Sequence, residues 1–303
     1  MSGSVVTVGT FDGVHLGHQA VLRRVRELGR ERGLDPVAYT FPIPPRLAGA
    51  RGEVDLLLPF EVKRTLLLRE VDRVEAASFE DLRDLSAEGF VESVLVRRLD
   101  ARGVVVGEGF RFGRGREGDL PLLRRLGLGG GLEVVAVPPV LAGGEPVSST
   151  RIRSLLRAGD IEAATALLGR LPFLLGEVVA GDGIGRTLGF PTANLALDSS
   201  VLWPADGVYL AHAFWNSRAS PGLLYLGTRP TLGGAARRCE VHLLDDPARD
   251  LVGVVLEVQI LSRVRVDRRF SSVEALREQM GRDAGEARAR LARMERRPER
   301  ILG

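Results

Sequence analysis

The chain reads as an α/β domain followed by an all-β domain, and three observations carry that expectation. An apolar run (Val5, Val6, Val8) leads through a Gly- and His-containing turn into an amphipathic helix, and opens an alternation of strand and helix signals lasting to residue 158. Past Pro172 the pattern changes to short strands divided by glycine turns, and then to one long final helix. At 303 residues the chain also exceeds the usual size of a single core. These observations predict a parallel sheet with helices on both faces over 1–158, a linker helix region over 159–172, and an antiparallel β-barrel with a closing helix over 173–303.

Taken in order, Val21, Leu22, Val25 and Leu28 recur with helical period, and Pro36 to Phe41 reads as the second strand. Pro59 to Arg69 is helical in pattern, as is Ala87 to Leu99 behind a Ser86 cap. Val104 to Val106 and Leu132 to Val137 read as further buried strands, and Ile161 to Leu168 as a short helix ended by Gly169. Strands follow at Leu174 to Val179, Gly207 to Phe214, Leu223 to Gly227, Cys239 to Leu244 and Val254 to Val264. Ser271 with Glu274 reads as a capping box for the last helix, which carries Leu276, Met280, Ala287 and Leu291 at helical intervals.

Chemistry concentrates where these elements meet. Gly9-Thr10-Phe11-Asp12-Gly13-Val14-His15-Leu16-Gly17-His18 lies between a strand and a helix start. Small residues there let backbone approach a phosphate chain, and the free amides and positive dipole end of the helix attract anions. His15 and His18, three apart, are expected on one face of the first helical turn, adding side-chain donors. Gly107 to Gly113 follows another strand with flexible backbone. Val147 to Arg153 opens a helix, where Ser148, Ser149 and Thr150 can cap or donate and Arg153 offers a charged fork to phosphate. In the second half, Gly181 to Asn194 combines a Gly-rich flap, a rigid turn at Pro191, and the oxygen-bearing side chains of Thr192 and Asn194, hard ligands that suit Mg²⁺. Glu240 beside Arg237 and Arg238 reads on its own as a strand salt bridge. His242 shares its strand face, whereas Cys239 and Val241 point the other way.

Composition narrows the classes. Hydrophobic residues at 45% and charged residues at 27% describe a globular protein. No apolar run approaches the roughly 20 residues that cross a bilayer, and Met1 to Ser4 runs straight into a strand, so a cytoplasmic location without membrane partners is expected. The net charge of +3 is spread among interleaved acids and bases, against a nucleic-acid partner. Cys239 is the only cysteine, which excludes an intrachain disulfide and a thiolate-cluster metal site. Lys63 is the only lysine, which excludes a Gly-x-x-x-x-Gly-Lys phosphate loop and a Val-Ala-Ile-Lys kinase set.

Gly-x-Phe-Asp-Gly-x-His-x-Gly-His at the start, Gly-x-x-Phe-x-Phe-Gly in the middle and Ser-Ser-Thr-x-Ile-Arg at 148–153 resemble the FMN adenylyltransferase module of the prokaryotic bifunctional riboflavin kinase/FAD synthetase family, with its Rossmann-like nucleotidyltransferase fold. Phe190-Pro191-Thr192-Ala193-Asn194 is similar to the riboflavin kinase signature. Pro204 to Tyr209, Gly227 to Thr231 and Glu240 to Asp245 follow in that family's order. The resemblance implies that His15 and His18 stabilise the ATP phosphates in a first site lined by Gly9, Phe11, Asp12 and Gly13, with Ser148, Thr150 and Arg153 on the triphosphate. It also implies a second ATP site of Gly181, Gly183, Gly185, Gly189, Pro191 and Thr192, Mg²⁺ on Thr192 and Asn194, flavin contacts from Arg186, Phe190 and Arg229, and Glu240 as base. The partners implied are riboflavin, FMN and ATP, with FMN and FAD as products, in a monomer or weak homo-oligomer.

Two departures mark the first half. Phe41-Pro42-Ile43-Pro44-Pro45 lacks an acid and a histidine usual in the family, and Gly109 replaces an Asp or Asn. They keep open a riboflavin kinase with a weak or inactive adenylyltransferase half, and, more remotely, a flavin or nucleotide sensor without catalysis.

Overall fold

The computed structural model describes residues 3–43, 55–228, 237–245, 251–294 and 297–302. Pro44, Pro45, Arg229, Pro230 and Thr231 lie outside them. Contacts divide the chain into two compact units, Met1–Ser149 and Thr150–Gly303.

The first unit is built on a five-stranded sheet of β1 (Ser4–Val8), β2 (Asp35–Thr40), β3 (Arg73–Ala76), β4 (Ala101–Gly107) and β5 (Glu133–Val137). Its order is β3-β2-β1-β4-β5, with every pair parallel. Successive strands run outward from β1 to β3, and the chain then returns to the other side of β1, so a crevice opens where the carboxyl ends of β1 and β4 diverge. Helix α1 (Leu16–Arg32) covers one face through buried Leu22, Val25 and Leu28, and stops at Gly33 in the left-handed conformation. Helix α2 (Phe60–Leu67) is the next described element after β2, and α3 (Ala87–Gly89) begins behind Ser86, whose side chain accepts the Gly89 N–H.

From Phe90 to Arg98 the chain winds as a π-helix rather than the α-helix predicted over Ala87 to Leu99. The wider turn keeps Phe90, Val91, Val94, Leu95 and Leu99 all buried against Val6, Val8, Val104 and Val106 of the sheet. Two turns of apolar periodicity cannot distinguish the two windings. The edge strand β3 was not predicted: Arg73-Val74-Glu75-Ala76 is charged and partly exposed, and its polar–apolar alternation spans only four residues. Helix α4 (Leu120–Gly129), capped by Asp119, leads to β5, and a small hairpin of β6 (Leu141–Ala142) and β7 (Glu145–Pro146) precedes α5 (Ser149–Ala158).

In the second unit α6 (Ile161–Leu168) ends at Gly169 as predicted. A closed barrel follows, made from β8 (Phe173–Val179), β9 (Ala193–Leu197), β10 (Gly207–Trp215), β11 (Arg218–Thr228), β12 (Arg237–Leu243) and β13 (Val255–Val266). Its cyclic order is β10-β11-β12-β9-β8-β13, antiparallel throughout. Val241, Leu224, Leu226, Leu256, Val258 and Ile260 are fully buried, each worth about 1.5–3 kcal/mol of burial. One helical turn, α7 (Ile184–Thr187), stiffens the Gly-rich segment read as a flap. Helix α8 (Val273–Ala292) lays Ala284, Ala287 and Leu291 against Val208, Leu210, Leu223 and Tyr225 outside the barrel. Its cap is Ser272, accepting the Ala275 N–H, not the expected Ser271, because the backbone turns one residue later.

Candidate active sites

In the first unit the segment expected to bind an anion is the loop after β1. Gly9 N–H extends the strand ladder to the Tyr39 carbonyl at 3.1 Å. A tight turn then places Phe11, Gly13 and Val14 at φ 49°, 84° and 40°. A side chain at Gly13 would also strike Leu57, 2.6 Å away. The two non-glycine residues each cost about 1–3 kcal/mol in this conformation, so neighbouring groups must hold it. Asp12 does so from inside: 2% exposed, its carboxylate accepts the Leu57 N–H at 2.9 Å. Ser149 Oγ donates to the Asp12 carbonyl and Gln19 Nε2 to the Val14 carbonyl, each at 2.9 Å.

His15 is the N-cap of α1 rather than part of its first turn. Its Nδ1 accepts the His18 N–H at 3.4 Å, which leaves the ring proton on Nε2. The His18 ring stacks on it at 3.6 Å, and Phe11 meets His18 edge-on at 5.3 Å. The two imidazoles are thus brought together at a helix start, with the buried Phe11 ring against His18. Ser148 is half-buried and directly precedes Ser149, whose hydroxyl ties the second motif to the first. Thr150 lies in the first turn of α5 and Arg153 at the start of the second, Arg153 buried. In the middle loop Phe110 stacks on Phe112 at 5.5 Å, and Gly109 is exposed with open space around it.

In the second unit strand pairing assembles the site. β12 and β9 meet with Glu240 opposite Asn194, so the two side chains share one face. Thr192 Oγ1 donates to Glu240 Oε2 at 3.4 Å, and Glu240 is only 4% exposed. His242, two residues along, holds the preceding turn: its Nδ1 lies 2.9 Å from the Pro191 carbonyl. A carbonyl can only accept, so that nitrogen carries the proton. Burial keeps the His242 pKa below its ordinary value.

Thr192 and Asn194 line a cavity of about 400 Å³ together with Gly181, Gly183, Arg186 and Pro191. A β-carbon on Gly181 would lie 2.0 Å from Asn194 Nδ2, so only glycine lets the flap close over that side chain. Arg186 lines that cavity, whereas Phe190 packs under α8 and edge-on to His242 at 5.4 Å, off the cavity lining. Gly185 is buried beneath the Phe190 carbonyl and Thr192, and Gly189 is exposed at the end of the flap.

Sequence reasoning missed several groups. Val178, Val179, Leu251 and Val252 give the cavity an apolar wall, and nothing in their local pattern separates them from barrel packing. Tyr225 stands opposite Glu240 on β11. Arg238 anchors the flap through Asp182 at 2.8 Å. Among the described residues, no group of three or more His, Cys, Asp and Glu side chains could hold a metal, and no helix is long and apolar enough to cross a membrane.

Comparison with known proteins gives the same division. A family model described as FAD synthetase matches residues 1–151, and one described as riboflavin kinase matches 168–291. The chain is 38% identical to the bifunctional riboflavin kinase/FMN adenylyltransferase of Escherichia coli K12, over 94% of this chain and 92% of that one. It is also 38% identical to the protein of that name from Pseudomonas fluorescens, over 95% and 93%. A solved structure from Streptococcus pneumoniae, titled a macrolide-efflux protein, superimposes with a TM-score of 0.86 at 30% identity over 95% of both chains.

Proposed function

From the premise that this chain belongs to the bifunctional riboflavin kinase/FMN adenylyltransferase family, we propose how its residues divide the two reactions. The protein phosphorylates riboflavin to FMN and adenylylates FMN to FAD, with ATP as the donor in both steps. Our reading assigns adenylyl transfer to 1–158 and the kinase to 173–303, with 159–172 as linker.

For the kinase, one observation carries the assignment: register sets Asn194 beside Glu240, with the Thr192 hydroxyl on the same carboxylate, next to the cavity. Glu240 accepts the proton of the ribityl 5′-hydroxyl as that oxygen attacks the γ-phosphorus of ATP, with ADP leaving. General-base help of this kind is worth about 10²- to 10⁴-fold. The apolar wall at Val179 and Val252 suits a purine face, and Gly181, Gly183, Gly185, Gly189 and Pro191 cover the phosphates. Thr192 and Asn194 offer hard oxygens without a carboxylate cage, a donor set that fits Mg²⁺ shared with nucleotide phosphates, and the close approach allowed by Gly181 leaves Asn194 in place for it. When bound, Mg²⁺ supplies charge neutralisation on those phosphates. Phe190 and Arg229 are kept as flavin contacts on the resemblance, Phe190 acting by seating His242, whereas Arg186, expected there too, moves to the nucleotide side because it lines that cavity.

For adenylyl transfer, an FMN phosphate oxygen attacks the α-phosphorus of ATP and pyrophosphate leaves. His15 and His18 donate to the phosphates, Gly9 to Gly13 supply close backbone, and Ser148, Thr150 and Arg153 hold the triphosphate. Catalysis is then positioning plus charge stabilisation, without a covalent intermediate. The open surroundings of Gly109 support tolerance of the missing side chain there. We place the enzyme in the cytoplasm as a monomer or weak homo-oligomer.

Incubating the full chain with riboflavin, Mg²⁺ and ATP and separating the flavins tests the whole assignment. FAD is the expected product; FMN alone would reduce the first half to a weak partner, and unchanged riboflavin would overturn both sites.

A further inference from the structure

The chain's only lysine is buried in α2, 2% exposed, and neither reaction as assigned uses it. Its neighbours Val62, Leu66 and Leu67 make the apolar face of α2, where a methionine or leucine would satisfy packing. The ammonium instead bridges two loops: Lys63 Nζ donates to the Thr10 carbonyl at 3.1 Å and to the Phe41 carbonyl at 2.5 Å, with the Phe60 ring 5.3 Å away. These carbonyls leave the ends of β1 and β2, and Thr10 is the residue just before the left-handed turn of Phe11, Gly13 and Val14. Thr40 Oγ1 reaches the same Thr10 carbonyl at 3.3 Å.

We propose that Lys63 is a positioning residue for adenylyl transfer, its ammonium stapling the Thr10 and Phe41 carbonyls so that the Gly9–Val14 loop keeps the shape that receives the triphosphate. The proposal rests on the reading of that loop as the adenylyltransferase nucleotide site. The staple works through the loop: a left-handed turn that packing alone does not favour is held in one conformation, and apparent ATP affinity scales with the fraction of molecules in it.

The charge on the staple is conditional. Burial pushes the Lys63 pKa down to about 8, and the buried Asp12 carboxylate works against that fall. On its own helix Glu61 and Arg64 are exposed; the loop after β1 brings Asp12, and Phe41 brings only its carbonyl. As pH rises through about 8 the folded protein gives up the Lys63 proton, and the ammonium's hold on the two carbonyls weakens.

The test uses the full chain with Lys63→Met, which keeps the apolar stem, and Lys63→Arg, which keeps the charge at every working pH. Adenylylation of supplied FMN and phosphorylation of riboflavin are followed across the neutral-to-alkaline range on the same preparations. At neutral pH the Met variant is expected to lose about tenfold in kcat/KM for ATP in adenylyl transfer, chiefly through KM, while the kinase stays within about twofold. Wild-type adenylylation falls toward the Met level on the alkaline side, and the Arg variant lacks that fall. Adenylylation in the Met variant within twofold of wild type, or an alkaline fall shared by wild type and the Arg variant, overturns the proposal.

Should the Met variant misfold, the Arg profile decides alone. Amide exchange in residues 9–14, faster in the Met variant if the staple holds the loop and unchanged if it does not, needs no catalysis. A wild-type chain that formed no FAD would therefore refute the nucleotide-site reading while leaving the staple still decided.

Discussion

Gly181 and Asn194 approach closely in the proposed kinase site, and the cost of disturbing them is functional rather than structural. A methyl on Gly181 would overlap the Asn194 amide, which can swing aside on its own torsions and give up its place beside Glu240. Gly181→Ala should therefore leave the melting temperature nearly unchanged. Losing one oxygen toward a charged ligand is worth about 1.5–3 kcal/mol, or roughly 10- to 100-fold in kcat/KM for ATP in the kinase reaction. FMN adenylylation, measured on the same sample, should not move. Residues of this kind were legible in the sequence because their chemistry is local: glycines, a proline and two oxygen-bearing side chains within 14 positions. Tyr225, Leu251 and Val252 were not, because only folding carries them to the same place.

Elements show where local reading stops. The strand β9 pairs Asn194 with Glu240 across 46 residues of sequence, and no strand is predicted there because the sequence reading ends at the Pro191 turn and the oxygen-bearing side chains that follow it. A second long-range device sits on β13. Glu257, 1% exposed, accepts the Ile301 and Leu302 N–H groups and Gln259 Nε2, each at 2.7 Å, while Gln259 Nε2 also donates to the Glu299 carbonyl at 2.7 Å. The segment after α8 is thereby clamped to the barrel, by a carboxylate that in the sequence looks like any charge on a strand. Glu257→Leu leaves two amides without their acceptor and should cost about 2–3 kcal/mol of stability. Denaturant unfolding would register that loss, and protease would release residues 297–302 earlier than from wild type. An unchanged midpoint with an equally resistant tail would mean that apolar packing, not the carboxylate, seats the segment.

At the scale of the whole molecule, the change of pattern at Pro172 was readable because helix-period and strand-period signals differ along tens of residues. The order β3-β2-β1-β4-β5 was not, since no local feature says on which side of β1 the chain will return. That return is what opens the crevice beside His15 and His18, whereas Glu240, Thr192 and Asn194 are held by barrel strands alone. The strands that carry the two sets of groups belong to different units, so the activities should be separable by substitution. Glu240→Gln keeps the side-chain volume and the Thr192 contact but removes the base, so FMN formation should fall by about 10²-fold or more. Adenylylation of supplied FMN should stay within about twofold, as expected for groups carried by different units. The double change His15→Ala, His18→Ala removes both stacked imidazoles from the start of α1 and should halt FAD formation while sparing riboflavin phosphorylation. Equal loss of both activities in either variant would point to a folding defect or a wrong assignment. FAD output that survived the loss of both histidines would mean that backbone and the Ser148 to Arg153 segment hold the triphosphate without them.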